Sequence, residues 1–204
     1  MTGESFRAGM RRLCGGVTIV TSFDTAGPVG LTATAVCSLS VSPPRLIACV
    51  NRAGRTYRAI AHSRQLTVNL LAVHHRELAE RFAGRMGDAE RFACGRWHFS
   101  AEHAPVLEDA LAAFVCRAAF LVDVGSHALI VADVVRVDLG ASATPLVYLA
   151  GRFDQPVHGL AGEDDPPPSR DEGRNGRDGG GDTHASLVSS AVSACREEEV
   201  PHER

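Results

Sequence analysis

Apolar residues first recur at helical spacing, with Phe6, Met10 and Leu13 on one face of residues 5–14. This predicts a short amphipathic helix with Ser5 near its cap and Gly15-Gly16 at its end. From Val17 the period changes to two. Val17, Ile19, Thr21 and Phe23 alternate with other residues and predict a strand, 24–27 a turn, and Val29 onward a second strand. LIACV (46–50) predicts a third strand, 55–62 a short helix, QLTVNLL (65–71) another strand, and HHRELAERFAG (74–84) a helix ended by Gly84. Residues 84–105 show little periodicity and predict a long loop around Trp97. Two longer strands, 112–124 and 127–139, are joined by a tight turn at Gly125-Ser126, and PLVYLAG (145–151) is a last strand. Many strands with few short helices predict a small closed barrel with helices packed outside it.

The stretch 31–46, LTATAVCSLSVSPPRL, departs from ordinary strand composition. Strands favour β-branched and aromatic side chains, yet this one carries Thr32, Thr34, Ser38, Ser40 and Ser42 among small apolar residues. Short hydroxyls and exposed backbone N–H groups can hold a phosphate without lysine, and small residues let a flat ring lie against the backbone. Asn51, just after LIACV, and Arg55-Thr56, opening the next helix, could add donors at a helix N-terminus. An ordinary strand whose Thr and Ser face water reads equally well from these residues alone.

Composition narrows the classes. The formal net charge is −3 over 204 residues, which gives no electrostatic case for nucleic acid. All 21 basic residues are Arg, a mark of coding bias, so Arg enrichment is weak support for phosphate binding. The 6 cysteines include no C-x-x-C pair, and Cys37, Cys49 and Cys116 sit in apolar runs where a free thiol acts as a small hydrophobe. No apolar run is long enough to span a membrane, and no secretory leader is evident. These features predict a reducing, cytoplasmic setting with free thiols. Beyond residue 156 the chain turns rich in Asp, Glu, Arg, Gly and Pro, and such a segment buries too little apolar surface to offset chain entropy. One domain over 5–155 is expected, followed by a disordered tail, 156–204.

Sequence motifs exclude several chemistries. There is no G-x-S-x-G elbow, P-loop, H-E-x-x-H or G-x-G-x-x-G after a strand. His74 and His75 are adjacent on a predicted helix, so they are expected to point to different faces and not to chelate one metal together. No metal site is expected. Phe82, Phe92 and Trp97 read as core or loop anchors, and Glu77–Arg81 as a surface i, i+4 ion pair.

The order of the motifs carries more than any one of them. GLTATAVCSLSVSPP (30–44) is followed by ACVNRAGRT (48–56), LTVNLL (66–71), AERF (79–82), ERF (90–92), Trp97, Gly125-Ser126-His127 and PLVYLAGRF (145–153), with VTIVTS (17–22) before them. Over roughly residues 5–154 this series resembles the flavin reductase-like family, the FMN-binding split barrels. The resemblance implies a mainly β, six-stranded split β-barrel with short peripheral helices, dimerising as a homodimer with flavin near the subunit interface. It implies an NAD(P)H-dependent flavin reductase that passes reduced FMN or FAD to a separate flavin-dependent oxygenase, with NADH or NADPH as hydride donor. By the same likeness Thr32, Ala33, Thr34 and Ala35 would contact the flavin. Ser38 and the bend at Val41 would line the ring side, and Cys49, Val50 and Asn51 would contribute mainly backbone. Arg55 and Thr56 would lie near the phosphate or ribityl chain. Tyr148, Gly151 and Arg152 would help hold the dinucleotide or the flavin, and His127 would be the catalytic residue on the nicotinamide side. Ser126 stands where family members carry Asp before that histidine. The altered turn motivates an alternative, a flavin-binding carrier or sensor without reductase turnover.

Overall fold

A computed structural model describes residues 2–156. The expectations for residues beyond 156 therefore lie outside the described residues. Along the chain run α1 (Gly3–Met10), β1 (Gly15–Gly16), β2 (Thr18–Asp24), β3 (Gly27–Ala33), β4 (Val36–Val41), β5 (Pro44–Asn51), α2 (Arg55–Ser63) and β6 (Gln65–Leu70). There follow a 3-10 turn (Val73–His75), α3 (Arg76–Ala83), α4 (Asp88–Phe92), β7 (Trp97–His98), β8 (Val106–Leu107), β9 (Ala112–Val124), β10 (His127–Leu139), β11 (Val147–Leu149) and β12 (Arg152–Asp154).

The main sheet has seven antiparallel strands in the order β3-β2-β6-β9-β10-β5-β4. Its edge strands, β3 and β4, are consecutive in sequence and separated only by Thr34 and Ala35. A chain advances at most about 3.6 Å per residue, so that short link forces the sheet to curl until its edges nearly meet. The class is the mainly β split barrel expected. It has seven strands in place of six because the hydroxyl-rich stretch divides into the end of β3 and a separate β4.

Period two marks which face a residue takes, yet both faces of β2 are buried. Val20 points inward with Leu66, Val68, Cys116 and Ile130, whereas Val17 and Ile19 pack outward against Leu78, Phe82, Phe92 and Trp97. Phe82, Phe92 and Trp97 meet at centroid distances of 4.9–5.4 Å, and burying each large ring contributes on the order of 2–3 kcal/mol. Buried polar side chains on this outer face tie down the segment that follows. Thr67 Oγ1 donates to Ala104 O at 3.0 Å, Thr21 Oγ1 to Pro105 O at 2.6 Å, and Asn69 Oδ1 accepts from Leu107 N–H at 2.8 Å. These bonds offset the desolvation of side chains that would otherwise be costly to bury.

Three local expectations change. Helix α1 is capped by Thr2, whose hydroxyl accepts from Ser5 N–H at 3.3 Å, so Ser5 lies inside the helix and Leu13 beyond it. The stretch 84–105 contains α4 and β7 rather than loop alone. The last strand is a hairpin, β11–β12, turned by Ala150 and Gly151 at φ 54° and 83°. Among the described residues no helix is long and apolar enough to cross a membrane.

Candidate functional site

Strand pairing brings distant residues to one place. β5 pairs with β10 so that Asn51 lies directly opposite His127. After β5 the chain turns sharply: Asn51 Oδ1 accepts from Ala53 N–H at 2.9 Å, and Asn51 O accepts from Gly54 N–H at 3.1 Å. A Cβ on Gly54 would lie 3.2 Å from Asn51 O, so the smallest residue suits this turn. The turn aims the N-terminus of α2 into a cavity of about 1010 Å³. Its walls are residues 30–35 of β3 and the following link, Cys49, Asn51, residues 53–56, residues 82–88, Arg91 and His127.

The start of α2 is built to receive an anion. Its N-cap, Gly54, supplies no side-chain bond, and no acidic residue lies in the first turn. Thr56 is 4% exposed, lines the cavity, and its hydroxyl makes no hydrogen bond among the described residues. Free N–H groups and the positive end of the helix dipole favour negative charge there. The opposite wall is small: Ala33, Thr34 and Ala35 leave backbone within reach of a flat group. Thr32 is already engaged, its Oγ1 donating to Ala79 O on α3 at 2.7 Å. Cys49 N–H is likewise engaged with Ala35 O at 2.9 Å, and burial pushes the Cys49 thiol above its ordinary pKa.

Arg55 does not face the cavity as a free cation. Its Nε and NH2 groups donate to the two oxygens of Asp24 at 2.8 and 2.6 Å, and its NH1 to Asp88 at 2.9 Å. Those bonds, led by the Arg55–Asp24 pair, hold the Asp24 carboxyl below its ordinary pKa and raise that of Arg55. Arg91 in turn reaches Asp88 at 3.3 Å, Gly30 O at 2.9 Å and Gly84 O at 2.7 Å. The chain Asp24–Arg55–Asp88–Arg91 thus locks α2, α4, β3 and the end of α3 together around the cavity. His127 Nδ1 lies 2.9 Å from Ser126 Oγ, so a serine hydroxyl, not a carboxylate, orients this ring.

The structure gathers Thr32, Ala33, Thr34, Ala35, Cys49, Asn51, Arg55, Thr56 and His127 on this one cavity. It places the remaining candidates elsewhere. Ser38 and Val41 line a separate groove of about 360 Å³ formed mainly by β4, β5, β6, β9 and β10, because at Thr34–Ala35 the chain crosses from the β3 edge of the sheet to the β4 edge. Val50 is 1% exposed and packs in the barrel core. Tyr148 lines a third hollow with Arg11, Gly15 and Thr34. Gly151 occupies the β11–β12 turn, and Arg152 pairs with Asp154 at 3.2 Å.

The reading of His74 and His75 is corrected. They stand on a 3-10 turn rather than in the helix, their ring centroids are 3.9 Å apart, and both face Asp109. His75 Nδ1 accepts from Ala72 N–H at 3.1 Å, so in the neutral ring Nε2 carries the proton and is not a free metal ligand.

Residues 10–156 match the family model described as the flavin reductase-like domain. The chain belongs to the flavin reductase-like family. The FMN reductase (NADH) RutF of Ancylobacter novellus is 40% identical over 159 residues, 78% of this chain and 86% of that protein. The crystal structure of a flavin reductase domain protein from Arthrobacter sp. FB24 is similar at TM-score 0.72 and 32% identity, over 77% of this chain and 97% of that one. BorF, the flavin reductase component of a bacterial two-component tryptophan halogenase, is similar at TM-score 0.69 and 27% identity, over 76% of this chain and 98% of that one. This member is an oxidoreductase. Relative to the residues picked out in its sequence, the cavity adds the wall 84–88 and Arg91. The available signal was modest: Gly84 and Gly87 bracketing Arg85-Met86, then Asp88 three residues before Arg91.

Proposed function

We propose that this chain is an NADH-dependent FMN reductase that supplies reduced FMN to a partner oxygenase and works as a homodimer. The observation that carries the reading is the cavity itself, which joins an uncapped helix N-terminus to a wall of small residues and to His127. FMN and NADH are favoured over FAD and NADPH by the name of the RutF relative, and a separate partner enzyme that uses the reduced flavin by the two-component halogenase system of BorF. The homodimer is supported by exposed apolar side chains beside the β4 groove, including Val41 at 87% and Val137 at 45% exposure.

The residues present fit a flavin. The first-turn N–H groups of α2 and the unpartnered Thr56 hydroxyl would hold its phosphate. Ala33 and Ala35 would leave room for the ring against the backbone. Hydride acceptance from NADH is the chemistry that FMN supplies when bound. The protein contributes orientation: the Asp24–Arg55–Asp88–Arg91 chain keeps the walls in register, and the Ser126 hydroxyl fixes the His127 ring beside the cavity. No side-chain nucleophile is required, and bringing two reactants into one cavity is itself a large part of the rate. Steady-state NADH oxidation with and without added FMN tests the reading. Oxidation should depend on FMN; its absence with FMN present overturns the proposal.

A further inference from the structure

The charges on the cavity wall are unequally committed, and the difference locates a second anion site. Arg55, Arg85 and Arg91 all line the cavity. Arg55 is held by Asp24 and Asp88, and Arg91 by Asp88 and backbone carbonyls. Arg85 forms no ion pair and no side-chain hydrogen bond among the described residues. It is exposed and lies in the segment between α3 and α4, three residues before Asp88, which Arg55 at the start of α2 holds at 2.9 Å. Asp88 is the carboxylate on this wall, and it is already shared between Arg55 and Arg91. An uncommitted guanidinium has five donors in a planar fork suited to paired phosphate oxygens.

The α2 N-terminus provides for one phosphate, and a cavity of about 1010 Å³ reaches the upper end of the range for single small-ligand sites. We infer that Arg85 binds the pyrophosphate of the nicotinamide dinucleotide, a second anion in the cavity besides the flavin phosphate held at α2. This rests on the reductase reading above. Arg85 is a binding residue for the hydride donor and takes no part in holding FMN. Because the pyrophosphate of FAD has the same chemistry, the test must separate the two dinucleotides.

The full chain loaded with FMN is compared as unmodified protein, Arg85→Ala and Arg85→Lys, by calorimetric titration with NAD⁺ and by steady-state turnover. Arg85 is exposed, so replacing it leaves the core intact. Losing a charge-assisted contact of this kind weakens binding by about tenfold. Arg85→Ala should therefore raise the NAD⁺ Kd and the NADH KM by about tenfold, with kcat and FMN Kd unchanged. Arg85→Lys should recover part of the loss, and the salt dependence of KM should flatten in Arg85→Ala. An unchanged NAD⁺ Kd overturns the assignment, as does an FMN or FAD affinity that falls in step. Unmodified protein that binds NAD⁺ but does not turn over would sink the reductase reading alone, and the Kd comparison would still decide Arg85.

Discussion

At the scale of single residues, hydroxyls that look alike in sequence have different duties. Thr32 and Thr56 both line the cavity, but Thr32 is tied to Ala79 O and Thr56 is not tied to anything described. Thr32→Val therefore removes the bond that holds the β3 wall of the cavity against α3. The expected result is a stability loss of about 1 kcal/mol together with weaker FMN binding, read by urea titration and by flavin fluorescence. Thr56→Val should instead weaken FMN binding with little change in stability. Equal effects on stability from the two variants would show that the hydroxyls are not divided in this way. The sequence identified both threonines as polar groups in a small-residue setting. It could not show which was free, because the carbonyl that occupies Thr32 comes from a helix 47 residues away.

At the scale of elements, periodicity revealed most of what packs and little of what turns. The hairpin β9–β10, its Gly125 turn and strand β6 stand close to where alternation put them. The division of the hydroxyl-rich stretch at Thr34–Ala35 was not legible, since nothing local breaks the pattern there and barrel closure sets the bend. Helix α4 was missed because five residues are too few to show a period; it stands through packing of Phe92 on Phe82 and Trp97. Gly30 is where these elements press hardest. A Cβ there would lie 2.8 Å from Cε1 of Phe82, whose ring is fixed by its aromatic neighbours. Overpacking of this kind costs about 1–3 kcal/mol. Gly30→Ala should lower the urea midpoint accordingly and, by pushing α3 outward, weaken FMN binding. A midpoint equal to that of the unmodified protein would show that α3 yields freely.

At the scale of the whole molecule, ionisable groups far from one another act on stability in the same direction. The acid response was not legible in the sequence, because the groups behind it meet only in the fold. His75 is buried and faces His74, Asp109 and the Ala72 N–H; burial first, then His74, lowers its pKa below the ordinary 6.5. Asp24 faces Arg55, Arg58 and the Ala26 N–H, and the Arg55 bond leads in lowering its pKa below 3.8. In both cases the folded value is depressed, so the unfolded chain binds the proton first. Each group's contribution is complete above its unfolded value and is lost as pH falls through its folded value. Stability should thus be level from pH 6.5 up to the onset of thiol ionisation in the unfolded chain near 9.0, since burial pushes Cys116 up to about 12 in the fold. It should decline below pH 6.5 as unfolded His75 protonates, and again below 3.8 as Asp24 does. Urea midpoints taken across this range in His75→Asn, whose side-chain oxygen can still accept the Ala72 N–H, isolate the upper limb. The variant should flatten that limb and leave the lower one in place, and an unchanged upper limb would assign the loss to other groups.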